Sequence, residues 1–345
     1  MEKSMSQPAD GAPPPHVQML QIMMGHWISQ AAASVARFEI PDHLAAGPRP
    51  LAELARLTDA NPDALNRLLR AAASVGILRE VEPSVYANAP LGETLRKDAP
   101  VGLRDLVLAE LAPGHWLPWG HLYDAVKSGQ SQARAALGHD TWEYYARTPE
   151  EGACFARGMG NVSAIVAAEV LPAYDFSRFE HIVDVGGSEG VMLAGALRAA
   201  PRARGVLLDL PEVIARGQQA VARHGLGDRL QAVGGDFRAE VPAGGDLYIL
   251  KTILHDWDDD GSVTILRNVR QAARPGAKIV VIEMVIPEQV SPSPVHLMDL
   301  NMLVMLGGRE RTEKEFARLF ARAGLRFERA LPTRGLFSLL EATPA

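Results

Sequence analysis

The stretch that most constrains this chain is His181-Ile182-Val183-Asp184-Val185-Gly186-Gly187-Ser188-Glu189-Gly190. A short apolar run ends in an acid, meets a glycine-rich turn, and passes at Val191 into a helical pattern that lasts to Ala200. A strand, a tight turn and a helix start form a cradle for a small ligand. Glycine lets backbone approach the ligand, and the first helical turn offers unpaired N–H groups. From Phe179 onward strand and helix patterns alternate, which predicts a parallel sheet in an α/β domain. Strands are expected at 181–185, 204–209, 229–234, 246–250, 277–284, 325–330 and 336–342, and Pro275-Gly276 stops a helix over 262–273.

The chain ahead of this sheet reads as helical. Residues 1–15 hold Pro, Ala, Asp and Ser with no hydrophobic signal core and are expected to be a disordered tail. His16 to Ala36 carries Met19, Leu20, Met23, Trp27, Ile28, Ala31 and Val35 at helical spacing, so this helix packs on a second subunit or on the protein's own core. Pro50 to Val81 contains short helical units. Asn61 caps one and Pro62 starts it; Leu65, Leu68, Leu69, Ala72 and Val75 give it a buried face, and Gly76 ends it. Ile77–Val81 and Val85–Ala87 then suit a hairpin, completing a winged-helix arrangement. Its second helix, Asp63 to Val75, has only Arg67 and Arg70 as cations, and the net charge is -6. A dimerising or lid domain fits this better than a DNA reader. The domains expected are a winged-helix-like one over 16–100, a helical segment over 101–168, and the α/β domain over 169–345. The aromatics His115-Trp116-Leu117-Pro118-Trp119 and Trp142-Glu143-Tyr144-Tyr145 either fill core or line a flat pocket.

With one cysteine, Cys154, the chain has no internal disulfide and no multi-cysteine metal site; a buried space-filling role is expected for it. No apolar run reaches the roughly 18 residues of a membrane span. A cytoplasmic protein without nucleic-acid or membrane partners is expected.

The glycine turn does not fit a dinucleotide. The three fingerprint positions are Gly186, Ser188 and Val191, so two of the three glycines are missing. Asp209 ends the second strand, where an acid takes ribose hydroxyls. Asp236-Phe237 follows the third, where a carboxylate and an aromatic suit a purine, although turn formation and core packing are the plainer roles. Ligands of open α/β sheets bind at the carboxyl ends of strands, so three acids at successive ends act in concert.

Four segments then combine: Val183 to Gly190, Leu208-Asp209-Leu210-Pro211, Gly234-Gly235-Asp236-Phe237, and Lys251-Thr252-Ile253-Leu254-His255-Asp256-Trp257-Asp258-Asp259. Together they resemble the S-adenosylmethionine-dependent O-methyltransferases of the caffeate and hydroxyindole type, which include bacterial enzymes acting on phenazines and aromatic polyketides. The resemblance runs from about residue 17 to 342 and includes Phe155-Ala156-Arg157-Gly158-Met159 and Gly307-Gly308-Arg309-Glu310-Arg311-Thr312. It implies a Rossmann-like class I methyltransferase sheet with a mainly helical, winged-helix-like N-terminal dimerisation domain, hence a homodimer. It also implies that Gly186, Asp209, Asp236, Phe237 and Lys251 bind S-adenosyl-L-methionine. His255 matches the general base and Glu283 and Glu310 the acids that hold it. Phe155, Met159, Asp256, Met298 and Met302 fall on the substrate side, and no metal is implied. Two departures stand out: Ser188 replaces the middle glycine of the turn, and Ala156 replaces an Asn that contacts substrate in some relatives.

The chemistry implied is in-line methyl transfer to a hydroxyl. A phenol has a pKa of about 10, so about one molecule in a thousand is ionised at pH 7. A histidine within reach of the hydroxyl then contributes roughly 10²–10⁴-fold. Asp256, Asp258, Asp259 and Asp260 could suggest a metal, but they suit the start of the following helix, where carboxylates favour the dipole. Thr312 and Glu315 form a capping box, so the segment after Glu310 also has a structural task. Met298, Met302 and Met305 share a helix face, as core or as the floor of an aromatic slot. Three rival readings use the same features: a cofactor-binding relative with non-methylating chemistry, a winged-helix regulator, and an NAD enzyme disfavoured by the broken fingerprint.

Overall fold

A computed structural model describes residues 13–345. Most of the expected N-terminal tail lies outside the described residues. The chain divides into two compact units, 1–111 and 112–345.

The first unit opens on the helix Pro15–Arg37 and continues through the helices Leu51–Thr58 and Pro62–Ser74. Asn61 caps the latter by accepting a hydrogen bond from the Ala64 amide at 3.0 Å, as a local motif can dictate alone. A three-stranded sheet of β1 (Arg49–Pro50), β2 (Leu78–Glu82) and β3 (Val85–Asn88) closes the winged-helix arrangement, in the order β1-β3-β2. Val35, Ile40, Leu54, Leu65, Leu69, Leu78 and Tyr86 form its core. Ahead of Ala33 the first helix leaves Met19, Leu20, Ile22, Met23, Trp27 and Ile28 exposed.

The second unit is built on an eight-stranded sheet: β4 (His181–Val185), β5 (Arg204–Asp209), β6 (Leu230–Gly234), β7 (Leu247–Lys251), β8 (Lys278–Ile286), β9 (Arg311–Thr312), β10 (Leu325–Pro332) and β11 (Phe337–Pro344). The order is β10-β11-β8-β7-β4-β5-β6, with the two-residue β9 beside the end of β8. Strands β4 to β8 are parallel. The sheet is nevertheless mixed, because β11 runs antiparallel to both β8 and β10. This corrects the expected all-parallel sheet. Only residues 333–336 join β10 to β11, too few for the crossover a parallel pair needs.

Apolar side chains cover both faces of the sheet. Helices Pro149–Val170, Val191–Ala199 and Pro211–Arg223 supply Val166, Leu193 and Ile214 to one core. Helices Asp259–Ala272 and Glu313–Arg322 supply Leu266 and Phe316 to the other. Period-two alternation sends Val280 and Ile282 of β8 to the first core and Ile279 and Val281 to the second. β5 and β7 flank β4 on opposite sides, so the chain reverses its direction of travel at β4. That reversal opens a crevice at the strands' carboxyl ends.

Candidate active site

The glycine turn sits at this crevice and is tied to the end of β5. The Gly186 amide donates to the Leu208 carbonyl at 2.7 Å, and the Ser188 amide donates to Asp209 Oδ2 at 2.8 Å. The other Asp209 oxygen accepts from the Leu210 amide at 2.8 Å. Both carboxylate oxygens of Asp209 are thus engaged in ordering the turn. Gly186 has φ +71°, and a Cβ there would run into Ile253 and Phe237. The space opposite Gly186 is therefore already filled by Ile253, with the Phe237 ring beside it. Ser188 adopts φ +52°, a left-handed conformation uncommon outside glycine.

Asp236 is engaged in a way its spacing did not suggest. Arg238 donates to both its oxygens, from Nε at 3.1 Å and from Nη2 at 2.8 Å, and lowers its pKa. The same guanidinium lies over the Trp257 ring at 4.8 Å, and Trp257 meets Phe237 edge-on at 6.3 Å.

β7 ends at Lys251, and the backbone then turns sharply. Thr252 has φ +53°, an outlier for a β-branched residue that costs about 1–3 kcal/mol. Its amide is still held, donating to the Ile282 carbonyl at 3.0 Å. The turn continues as a short 3₁₀ segment, Leu254–Asp256, which carries His255. Glu283 explains why this segment stays folded. It lies fully buried on β8, and its Oε1 accepts from the Ile253 amide at 3.0 Å and the Leu254 amide at 2.9 Å.

His255 is buried, and Nδ1 lies 2.7 Å from Glu310 Oε1 and 3.5 Å from Glu283 Oε2. Nε2 faces the other way, 3.4 Å from Asp256 Oδ1. Burial alone pushes the imidazole pKa down. The Glu283 charge, the Glu310 hydrogen bond and the Asp256 charge outweigh it and carry the pKa up to about 10. Burial in turn raises Glu283 to about 7 and Asp256 to about 6. Lys251 is buried at the same end, and burial lowers its pKa against the pull of Asp184, Glu283 and Asp256. Asp184 is raised to about 7, by burial first, with Lys251 opposing and Asp209 reinforcing.

Asp184, Asp256 and Glu283 act on Lys251, and Glu283, Glu310 and Asp256 act on His255. Carboxyl groups thus outnumber cations at this end of the sheet, which suits a ligand that brings positive charge. His255, Glu283 and Glu310 also bring possible metal-ligand atoms within 4.8 Å of one another, with Nδ1 already engaged by Glu310. The acidic run after His255 disperses. Asp258 caps the next helix through the Gly261 amide, Asp259 binds Arg311, and Asp260 binds Arg322.

The residues expected on the substrate side fall into two groups. Phe155 stacks on Tyr145 at 4.7 Å, meets Trp142 at 6.2 Å and lies beside His115 at 6.4 Å. One turn further on, Met159 is partly buried next to Gly160, which faces the Glu189 carboxylate of the glycine turn. The helix Val295–Met305 carries the second group, with Met298 partly buried and Met302 buried. Met305 packs on Ala125 and Val304, so that end of the methionine face is core. Cys154 is partly exposed rather than buried.

Sequence reasoning missed Asn301. Its Oδ1 accepts from Trp119 Nε1 at 2.7 Å and lies 2.9 Å from His115 Nε2. Indole nitrogen only donates, so the Asn301 oxygen must face Trp119 and the amide nitrogen must face away, on the side of Met298 Sδ at 3.9 Å. The partners lie 182 and 186 residues apart, beyond any spacing rule. Asp299 on the same helix accepts from the Glu310 amide at 2.8 Å, which joins this helix to the acid that holds His255.

Comparison with known proteins places these features. A family model described as an O-methyltransferase domain matches residues 119–326, and one described as an O-methyltransferase dimerisation domain matches residues 20–98. A phenazine O-methyltransferase of Lysobacter antibioticus is 39% identical over 97% of this chain and 98% of its own length. An 8-amino-8-demethylriboflavin N,N-dimethyltransferase of Streptomyces davaonensis is 34% identical over 89% of each chain. The structure of human N-acetylserotonin methyltransferase in complex with S-adenosylmethionine superposes with a TM-score of 0.89 at 26% identity, covering 98% of this chain and 99% of that one.

Proposed function

The chain belongs to the family of S-adenosylmethionine-dependent O-methyltransferases, and on that premise we propose that it methylates a hydroxyl of a small aromatic natural product, a phenazine or a polyketide phenol, with His255 as general base. One observation carries this reading. His255 Nδ1 is fixed by Glu310, and Nε2, 3.4 Å from Asp256 Oδ1, is the nitrogen we assign to the acceptor's proton. When bound, the cofactor supplies a methyl group on a cationic sulfur. Asp209, Gly186, Phe237 and Lys251 are the residues proposed to hold it, with Asp236 as a further contact.

In this mechanism the acceptor hydroxyl gives its proton to His255 Nε2, and its oxygen forms the new bond to carbon as the carbon–sulfur bond breaks. The imidazolium that results is stabilised by Glu310 and Glu283. A histidine raised to about 10 matches a phenol of pKa about 10, so proton transfer between them is close to balanced. In the free site at neutral pH the imidazole is mostly protonated, and turnover draws on the neutral fraction. Phe155, Met159, Met298 and Met302 form an apolar slot, Asp256 flanks Nε2, and the Asn301 amide offers a donor to a ring nitrogen or carbonyl of the acceptor.

We propose a cytoplasmic homodimer. The exposed Met19, Leu20, Ile22, Met23, Trp27 and Ile28 lie within or beside the matched dimerisation segment, and sedimentation tests this. The test of function is incubation with labelled cofactor and a panel of hydroxyphenazines, hydroxyquinones and simple phenols. S-adenosylhomocysteine with any of them supports the proposal; none with all of them counts against it. A second reading, methylation of an aryl amine, follows from the N,N-dimethyltransferase relative. An aminophenazine in the same panel separates the two.

A further inference from the structure

Among the described residues, Arg311 is the largest side chain buried to below 2% exposure. A guanidinium removed from water is tolerated only where its N–H groups find acceptors. All five do. Nε and Nη2 reach Asp259 Oδ1 at 3.0 and 2.9 Å, and Nη2 also donates to the Trp257 carbonyl at 2.9 Å. Nη1 donates to the carbonyls of Leu254 at 3.0 Å and Arg309 at 3.3 Å.

Two of these acceptors, Leu254 and Trp257, flank His255 and Asp256. The residues before Arg311 hold the same short segment. The Arg309 amide donates to the His255 carbonyl at 2.8 Å, and Glu310 takes His255 Nδ1. Gly308 packs so tightly that a Cβ there would strike the His255 carbonyl. Arg311 itself is fixed by β9, which pairs with Val285 and Ile286 of β8, the strand that carries Glu283.

We propose that Arg311 is a positioning residue for methyl transfer: its guanidinium clamp on Leu254, Trp257 and Asp259 holds the His255 backbone in register with Glu310 and Glu283. The proposal rests on His255 acting as the base. A lysine at this position would keep the charge but lose the fork, since it has three donors on a flexible stem. Displacing reacting groups by about 1 Å can cost roughly 10²-fold in rate.

The test uses Arg311→Lys and, because a change at so buried a site can prevent folding, Asp259→Asn, which alters only the half-exposed partner. Four quantities are read on the full-length protein. They are cofactor affinity by calorimetry, kcat and KM with whichever panel acceptor the parent methylates, the pH profile, and the His255 titration by nitrogen-15 imidazole spectra of the S-adenosylhomocysteine complex. The expected result for Arg311→Lys is a kcat lowered by about 30- to 100-fold, cofactor affinity within about threefold of the parent, and a His255 titration moved toward neutral pH. Asp259→Asn lowers kcat by about three- to tenfold and moves the His255 titration in the same direction, with cofactor affinity again held. Lower melting temperatures with unchanged kcat and His255 titration would overturn the proposal. So would a loss of cofactor affinity as large as the loss of kcat. If the parent yields no S-adenosylhomocysteine from any acceptor, the functional reading fails instead, and the titration still decides the clamp.

Discussion

Replacing Glu310 by glutamine isolates one interaction at the proposed base. Glutamine keeps an oxygen that can accept from His255 Nδ1 at the 2.7 Å position but removes the charge. A hydrogen bond to a charged group is worth about 1.5–3 kcal/mol, and tenfold in proton affinity is about 1.4 kcal/mol. Glu310→Gln should therefore move His255 from about 10 to an apparent pKa of about 8 to 9. The assay is S-adenosylhomocysteine release from pH 6 to 10.5, since kcat/KM follows the free enzyme and kcat the complex. The active form is the neutral imidazole, so in both proteins kcat/KM climbs with pH and then levels. The variant should level earlier, at a lower plateau because a weaker base remains. Stability carries the matching sign. A folded value above the unfolded one, about 6.5, gives stabilisation that is fully present below pH 6.5 and lost as pH rises through about 10. The variant should thus lose less melting temperature between pH 6.5 and 9.5 than the parent. An inflection that stays in place while the plateau falls would falsify the assignment of that ionisation to His255.

Three further outcomes are expected. His255→Ala should lower kcat by about 10²–10⁴-fold and leave cofactor affinity by calorimetry within a few-fold; equal losses would make His255 structural. Asp209→Ala should do the reverse, weakening cofactor binding by roughly 10- to 100-fold with a smaller effect on kcat at saturation, because it removes charged hydrogen-bond acceptors. Ser188→Gly should relieve about 1 kcal/mol of left-handed strain and give back a similar amount in chain entropy, so its melting temperature should stay within about 2 °C; a fall of 5 °C would show that the hydroxyl holds the turn.

Much of the fold could be read because its signals are local. The strands of the large sheet announce themselves as short apolar runs bounded by glycine and acid, and those read at 181–185 and 204–209 match β4 and β5 to the residue. The capping box of Thr312 and Glu315 and the cap at Asn61 need only neighbours three residues away. The antiparallel edge was missed although its short connection was visible, because the alternation upstream was extended to the chain's end. β9 has two residues and no periodicity of its own. The site was legible as residue types at strand ends, and the link of His255 to Glu310 came from resemblance, since 55 residues separate them. Arg311 gave no sign of its burial, as an arginine in a charged segment ordinarily faces water. Asn301 and His115 meet only because the helices Pro113–Trp119 and Val295–Met305 pack together.

The double hold of Asp209 on Ser188 and Leu210 has a thermodynamic consequence. The loop proposed to receive the cofactor is already closed by its own hydrogen bonds, so its ordering entropy is paid during folding and not during association. Association should then carry the heat-capacity change of the buried ligand surface alone, without the larger one of a segment folding around it. The methylated cofactor and its demethylated product would meet the same preformed loop, and the difference between their affinities would come from charge and contact at the sulfur rather than from a loop that must re-form in each cycle.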